Sequence, residues 1–226
     1  NLATGYMAAD RLELALPPLE ETLKLRKEKL GADHPDTLTS MGNLAAGYWS
    51  AKQLHRSVPL FEELLLVREK KLGREHPDTQ MTVANLGVNY KDAGRPAEAI
   101  PLLEEAYRSS RKHPSLTWVG TPLLDAYAKV GRSEEAATLV GELLAEVRKQ
   151  LPKESPQLTG QFAQFGLILL EGKAFTQAEP LLRECLAIRQ KTQSEVWTTF
   201  NTMSLLGAAL LGQKKYAEAA ELLLTG

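Results

Sequence analysis

The chain offers few groups that could do chemistry, and their spacing decides what they are for. The four histidines are His34, His55, His76 and His113, and His34 and His76 each stand beside acidic residues. They lie 42 residues apart in two near-identical segments, Leu30-Gly31-Ala32-Asp33-His34-Pro35-Asp36-Thr37 and Leu72-Gly73-Arg74-Glu75-His76-Pro77-Asp78-Thr79. A repeated unit would set them on successive turns of an array and not around one ion, and the soft ligands of a structural zinc site are missing. These histidines therefore read as structural, and neither a metal nor a cofactor is expected. The single cysteine, Cys185, sits in the apolar stretch Leu181 to Ile188 and reads as a small core residue, not a nucleophile. The paired carboxylates Glu62-Glu63, Glu104-Glu105 and Glu134-Glu135 recur at helix positions and read as solvated faces. A catalytic pair would break a repeat instead of following it. No nucleophile elbow or glycine-rich phosphate loop is present, so an enzyme is not expected.

Bulk composition excludes further classes. The 226 residues are 43% hydrophobic and 24% charged, enough apolar material for a core. Lys and Arg number 27 against 28 Asp and Glu, a formal charge of -1, which points to neither nucleic acid nor an anionic membrane as partner. The longest apolar runs, such as Leu64 to Val67, are far short of the roughly 20 residues that span a bilayer, and the expected compartment is the cytoplasm.

What positions these residues is a period. Asn1-Leu2-Ala3-Thr4-Gly5-Tyr6 returns as Asn43-Leu44-Ala45-Ala46-Gly47-Tyr48 and as Asn85-Leu86-Gly87-Val88-Asn89-Tyr90, 42 residues apart each time. Fainter copies begin at Pro122, Gln164 and Leu205. Second halves recur too, as Ala99-Ile100-Pro101-Leu102-Leu103 and Ala178-Glu179-Pro180-Leu181-Leu182. Within each unit the apolar residues fall at helical spacing with short breaks, which predicts helical hairpins. Pro35 and Pro77 stand where a helix starts, followed by an acidic residue that the helix dipole favours, while Gly31 and Gly73 are placed to end the preceding helix. Pro17, Pro59, Pro101 and Pro180 fall inside second helices, where a local kink is expected.

The pattern Leu-Gly-x-x-Tyr followed by Ala resembles the tetratricopeptide repeat, and the 42-residue period with Leu-Gly-x-x-His-Pro-Asp-Thr linkers is similar to its kinesin light chain type. Arrays of this style also resemble those of bacterial multidomain signalling proteins such as serine/threonine kinases. The resemblance implies an all-α fold, a right-handed α-solenoid of stacked antiparallel helix pairs, as one array over 1–226. Its units would run approximately 1–34, 35–76, 77–113, 114–155, 156–195 and 196–226, with the first and last incomplete. The expected function is protein–protein interaction, with a peptide or partner segment held in the concave groove. The alternative is a self-association or spacer module, including a homodimer through exposed terminal repeats. The opening inside a repeat suggests a piece of a larger regulatory protein.

In the resembled fold the first helices line the concave side, and their groove-facing positions select Thr39, Asn43, Ala46, Trp49, Met81, Asn85, Val88, Lys91, Asp125, Lys129 and Gln164. A ladder of amides suits the main chain of an extended peptide, since an amide donates and accepts at once. The competing reading is that these amides bond neighbouring helices and keep register. Trp49 is expected as a groove anchor, and Trp118 and Trp197 as packing residues. The segment Arg111-Lys112-His113-Pro114 is five residues short of the period and is expected to change the local pitch.

Overall fold

The computed structural model describes residues 12–193 and 196–225, so the first repeat motif, Asn1 to Tyr6, lies outside the described residues. Those described form eleven α-helices and one 3-10 segment, with no strand among them. The chain divides into two compact units, 1–122 and 123–226. The helices falling within the first unit are α1 (Leu12–Leu30), α2 (Pro35–Ser50), α3 (Leu54–Leu72), α4 (Pro77–Asp92) and α5 (Pro96–Ser109), followed by the 3-10 segment Pro114–Val119. Helix α6 (Gly120–Lys129) includes the division at 122/123, and α7 (Ser133–Gln150), α8 (Pro156–Glu171), α9 (Phe175–Thr192), α10 (Trp197–Gly212) and α11 (Tyr216–Thr225) fall within the second.

The linker motif explains why the first helices begin where they do. His34 and His76 are the N-caps of α2 and α4, and their Nδ1 atoms accept from the backbone N–H of Asp36 at 3.1 Å and Asp78 at 3.2 Å. Proline occupies the first helical position in both, where a missing N–H costs nothing. In α8 Ser155 does the same work, accepting from Leu158 N–H at 3.2 Å. Helices α1, α3, α5 and α9 run unbroken through Pro17, Pro59, Pro101 and Pro180. Each proline removes one backbone hydrogen bond without ending its helix.

Hairpin turns share one backbone device. Where the first helix of a pair meets the second, one residue takes a left-handed conformation: Lys52 (φ 59°), Gly94 (φ 75°), Gly131 (φ 75°), Lys173 (φ 58°) and Lys214 (φ 64°). Small residues then let the paired helices approach. A Cβ added at Gly87 would stand 2.8 Å from Leu103 Cγ, and at Gly166 2.8 Å from Leu182 Cγ. The core is a file of such contacts, with Met41, Phe61, Leu64, Leu86, Leu103, Phe162, Leu182 and Leu206 all buried. Most of the helices pack chiefly on their neighbours in the chain.

A recurrent arginine locks one pair to the next. Arg26 on α1 donates through Nη1 to Asp36 O (2.8 Å) and Ser40 Oγ (2.9 Å) on α2. Arg68 on α3 repeats this on α4, with Asp78 O at 2.9 Å and Thr82 Oγ1 at 2.8 Å. In the second unit Arg189 on α9 reaches Thr198 O and Thr202 Oγ1 on α10, at 2.7 and 2.6 Å.

Candidate functional site

The residues with chemical potential are engaged in structural work. The imidazoles of His34 and His76 cap helices. Cys185 is buried, its thiol donates to Thr159 O at 3.3 Å, and burial pushes its pKa up, away from the thiolate a nucleophile needs. The carboxylate pairs expected on solvated faces are partly internal ties. Glu62 accepts from Tyr90 Oη at 2.6 Å, and Glu105 accepts bidentately from Arg74, at 2.7 Å from both Nε and Nη2. The sequence pattern showed their helical period but not the arginine that a linker sends across to Glu105. The motif tyrosines are equally committed. Tyr48 donates to Glu20 at 2.7 Å with the Arg56 guanidinium 4.0 Å from its ring centroid. Burial, and then the bond to Glu20, raise its pKa to about 12; Tyr90 on Glu62 rises likewise to about 12.

Four of the eleven groove-facing residues selected from the sequence meet around one cavity of about 260 Å³ in the first unit. Ala46 and Trp49 come from α2, and Asn85 and Val88 from α4; Phe61, Asn89 and Trp118 complete the lining. Trp49 is fixed in place. Its Nε1–H donates to Asp92 Oδ2 at 2.7 Å, Asp92 Oδ1 is paired with Lys91 Nζ at 2.8 Å, and Lys52 Nζ lies 5.7 Å from the ring centroid. Asn89 is committed as well, its Nδ2 donating to Asn85 O at 2.8 Å and its Oδ1 standing 2.6 Å from the Ser57 hydroxyl. Asn85 differs. It is half-buried, and no hydrogen bond engages its side-chain amide among the described residues.

The remaining selected residues lie outside this cavity. Thr39 is exposed and its hydroxyl donates to Pro35 O at 3.0 Å. Asn43 is exposed, with no side-chain hydrogen bond among the described residues. Met81 is half-buried. In the second unit Lys129 is paired with Asp125 at 3.0 Å, and Gln164 is exposed. The amide that keeps register is Asn89, a residue the groove pattern did not select.

Two tryptophans depart from expectation. Trp118, read as a packing residue, is 40% exposed and lines the cavity beside Trp49; Trp197, read the same way, is 71% exposed. The reason at Trp118 is the shortened linker. A 3-10 segment has three residues per turn, so Leu116 and Val119 stack on one buried face while Trp118 points off it. The missing five residues were the available signal, since a regular unit has no such segment.

Comparison with known proteins agrees with the fold. Residues 1–65 and 43–112 match the family model of the tetratricopeptide repeat. This chain carries tetratricopeptide repeats. Among solved structures, the repeats superpose on the nearly identical TPR-like repeats of a kinesin light chain-like protein from Podosopora anserina. The TM-score is 0.74 at 28% identity, over 85% of this chain and 93% of that one. BtubC (BKLC) from P. vanneervenii matches with a TM-score of 0.62 at 17% identity, covering 95% of this chain and 89% of that chain. NprR, solved in complex with its cognate peptide NprX, matches with 0.57 at 14% identity, over 99% of this chain and 64% of that one. The last two likenesses concern the fold. No curated protein matches the sequence. Repeats of this kind serve in general as protein-interaction modules. Among the described residues no helix is long and apolar enough to cross a membrane.

Proposed function

We propose that the chain is an interaction scaffold that binds an extended peptide segment of a protein partner along its first helices, seating one bulky apolar side chain in the cavity between α2 and α4. The observation that carries this is the cavity, about 260 Å³, walled by Trp49, Val88 and Trp118. It presents one amide, Asn85, whose hydrogen-bonding capacity is unspent. Pockets that hold ligands combine an apolar lining with a few convergent polar groups, and a free amide suits a peptide main chain. NprR, a protein of this fold, was solved with a peptide, the same class of ligand.

A peptide-display selection tests the reading. Peptides enriched on the wild-type chain should carry a large apolar residue, and they should lose binding to Ala46→Leu, which fills the cavity, and to Asn85→Ala, with unchanged helical circular dichroism. Equal binding to the plugged variant would sink the proposal.

A second reading, self-association, is favoured by an exposed apolar group in the second unit, where Trp197 is 71%, Tyr216 63% and Leu224 88% exposed. A mass by light scattering that rises with concentration, and stays constant for Trp197→Ser with Leu224→Ser, would support it.

A further inference from the structure

We infer that Trp118 is the specificity-determining wall of this cavity, delivered there by the shortened repeat, so that with Trp49 it forms a two-indole socket for one branched or aromatic side chain. The inference rests on the peptide-binding reading and narrows it to a side-chain class and a residue.

Three observations converge. The first is delivery: the 3-10 segment Pro114–Val119 stands where the other units start a first helix. It is anchored by Leu116, 1% exposed, and Val119, 0% exposed, which leaves Trp118 as the large apolar side chain directed off the anchored face. The second is preorganisation. The Trp49 indole N–H is spent on Asp92, which Lys91 holds in turn, so Trp49 shows a ligand ring carbon and no donor. A wall whose rotamer is already fixed loses less entropy on binding. The third is exclusion. Of the polar groups in the lining, Asn89 is bonded on both sides and Asn85 is left for the peptide main chain, so a charged side chain entering the socket would shed water without meeting an opposite charge in the lining. Size fits the same class. An apolar cavity of about 150 Å³ holds benzene, and this one, at about 260 Å³, holds groups from a leucine to an indole.

The test uses the whole chain and two probes. Free indole, followed by saturation-transfer NMR, reports the socket without any peptide; an array of the enriched peptide, with its bulky position changed to Gly, Ala, Leu, Phe, Trp, Asp or Lys, reports selectivity. Trp118→Ala should weaken indole by about tenfold or more, the scale set by losing one well-packed aromatic partner, while Trp118→Phe retains most of the affinity and Trp197→Ala changes nothing. Ala46→Leu, which leaves both indoles in place, should abolish indole binding too. On the array, Trp118→Ala should level the preference for Leu, Phe and Trp over Ala. Indole bound equally by Trp118→Ala, or an unchanged array preference, overturns the inference. Indole binding that depends on Trp118, together with a library that yields no peptide, leaves the socket in place and overturns the peptide reading instead.

Discussion

Two joints in the first unit solve the same problem differently. Between α3 and α4 the chain turns through Gly73 to Asp78 and is held at every step. His76 caps α4, Arg68 crosses to Asp78 O and Thr82, and Arg74 forks onto Glu105, which also accepts from Gln80 at 2.7 Å. Between α5 and the 3-10 segment none of these parts recurs. Ser110 stands 42 residues after Arg68 and, among the described residues, its hydroxyl bonds only back to Tyr107 O, while His113 makes no side-chain cap. A held joint fixes the next helix, whereas the plain joint releases six residues into a 3-10 turn. The plain joint is also the shortened one, and the segment that follows it carries Trp118 to the cavity.

The comparison can be broken from its strong side. Arg68→Ala removes two hydrogen bonds from a charged donor whose pKa burial already lowers, and should destabilise the first unit by about 2–3 kcal/mol in urea unfolding. Ser110→Arg should change stability by less than about 0.5 kcal/mol, because a surface substitution without an acceptor pair to meet adds little. A gain equal to the Arg68 loss would show that the plain joint retains a hidden latch site.

The caps give a smaller contrast. His76→Ala should cost about 1 kcal/mol, the usual worth of an N-cap, and His76→Asp should restore it. His113→Ala should leave thermal unfolding unchanged, since that side chain caps nothing.

The smallest effect is in acid. Burial works against the charge of Glu105, but the bonds from Arg74 and Gln80 outweigh it and hold the carboxyl below its ordinary value of 4.5. A carboxyl lowered in the folded state contributes stability above its unfolded pKa and loses it as pH falls through the folded one. Glu105→Gln should therefore lower stability at neutral pH and flatten its decline below about pH 4.5, as followed by denaturation at stepped pH. A variant declining as steeply as wild type would place that acid sensitivity elsewhere.

Much of the fold was legible because the repeat is written in residues whose roles are local. Pro35 and Pro77 begin helices, Gly31 and Gly73 follow their ends, and the spacing of Leu44, Leu86 and Leu206 marks buried faces. The capping imidazoles were harder to see, since histidine is not a usual N-cap and its Nδ1 takes that role only with the following Pro-Asp geometry. At the cavity, the resemblance to the tetratricopeptide groove selected Ala46, Trp49, Asn85 and Val88. It missed Trp118, whose neighbours depend on how a shortened linker folds, and Asp92, whose bond to Trp49 crosses from one helix to another 43 positions away in the chain. Asn85 and Asn89 illustrate the limit of pattern: both are amides on α4, and only three-dimensional contacts tell the spent one from the free one.

The neighbour-on-neighbour packing of the helices has a kinetic consequence. With nearly every contact made between segments adjacent in sequence, closing a pair requires only a short loop, and folding can begin at any hairpin and spread along the chain. Unfolding can likewise proceed pair by pair. A ligand seated between α2 and α4 would then slow hydrogen exchange most in α2, α3 and α4, with protection fading toward α1 and α5, and a map of exchange rates would locate the bound segment before any complex is crystallised.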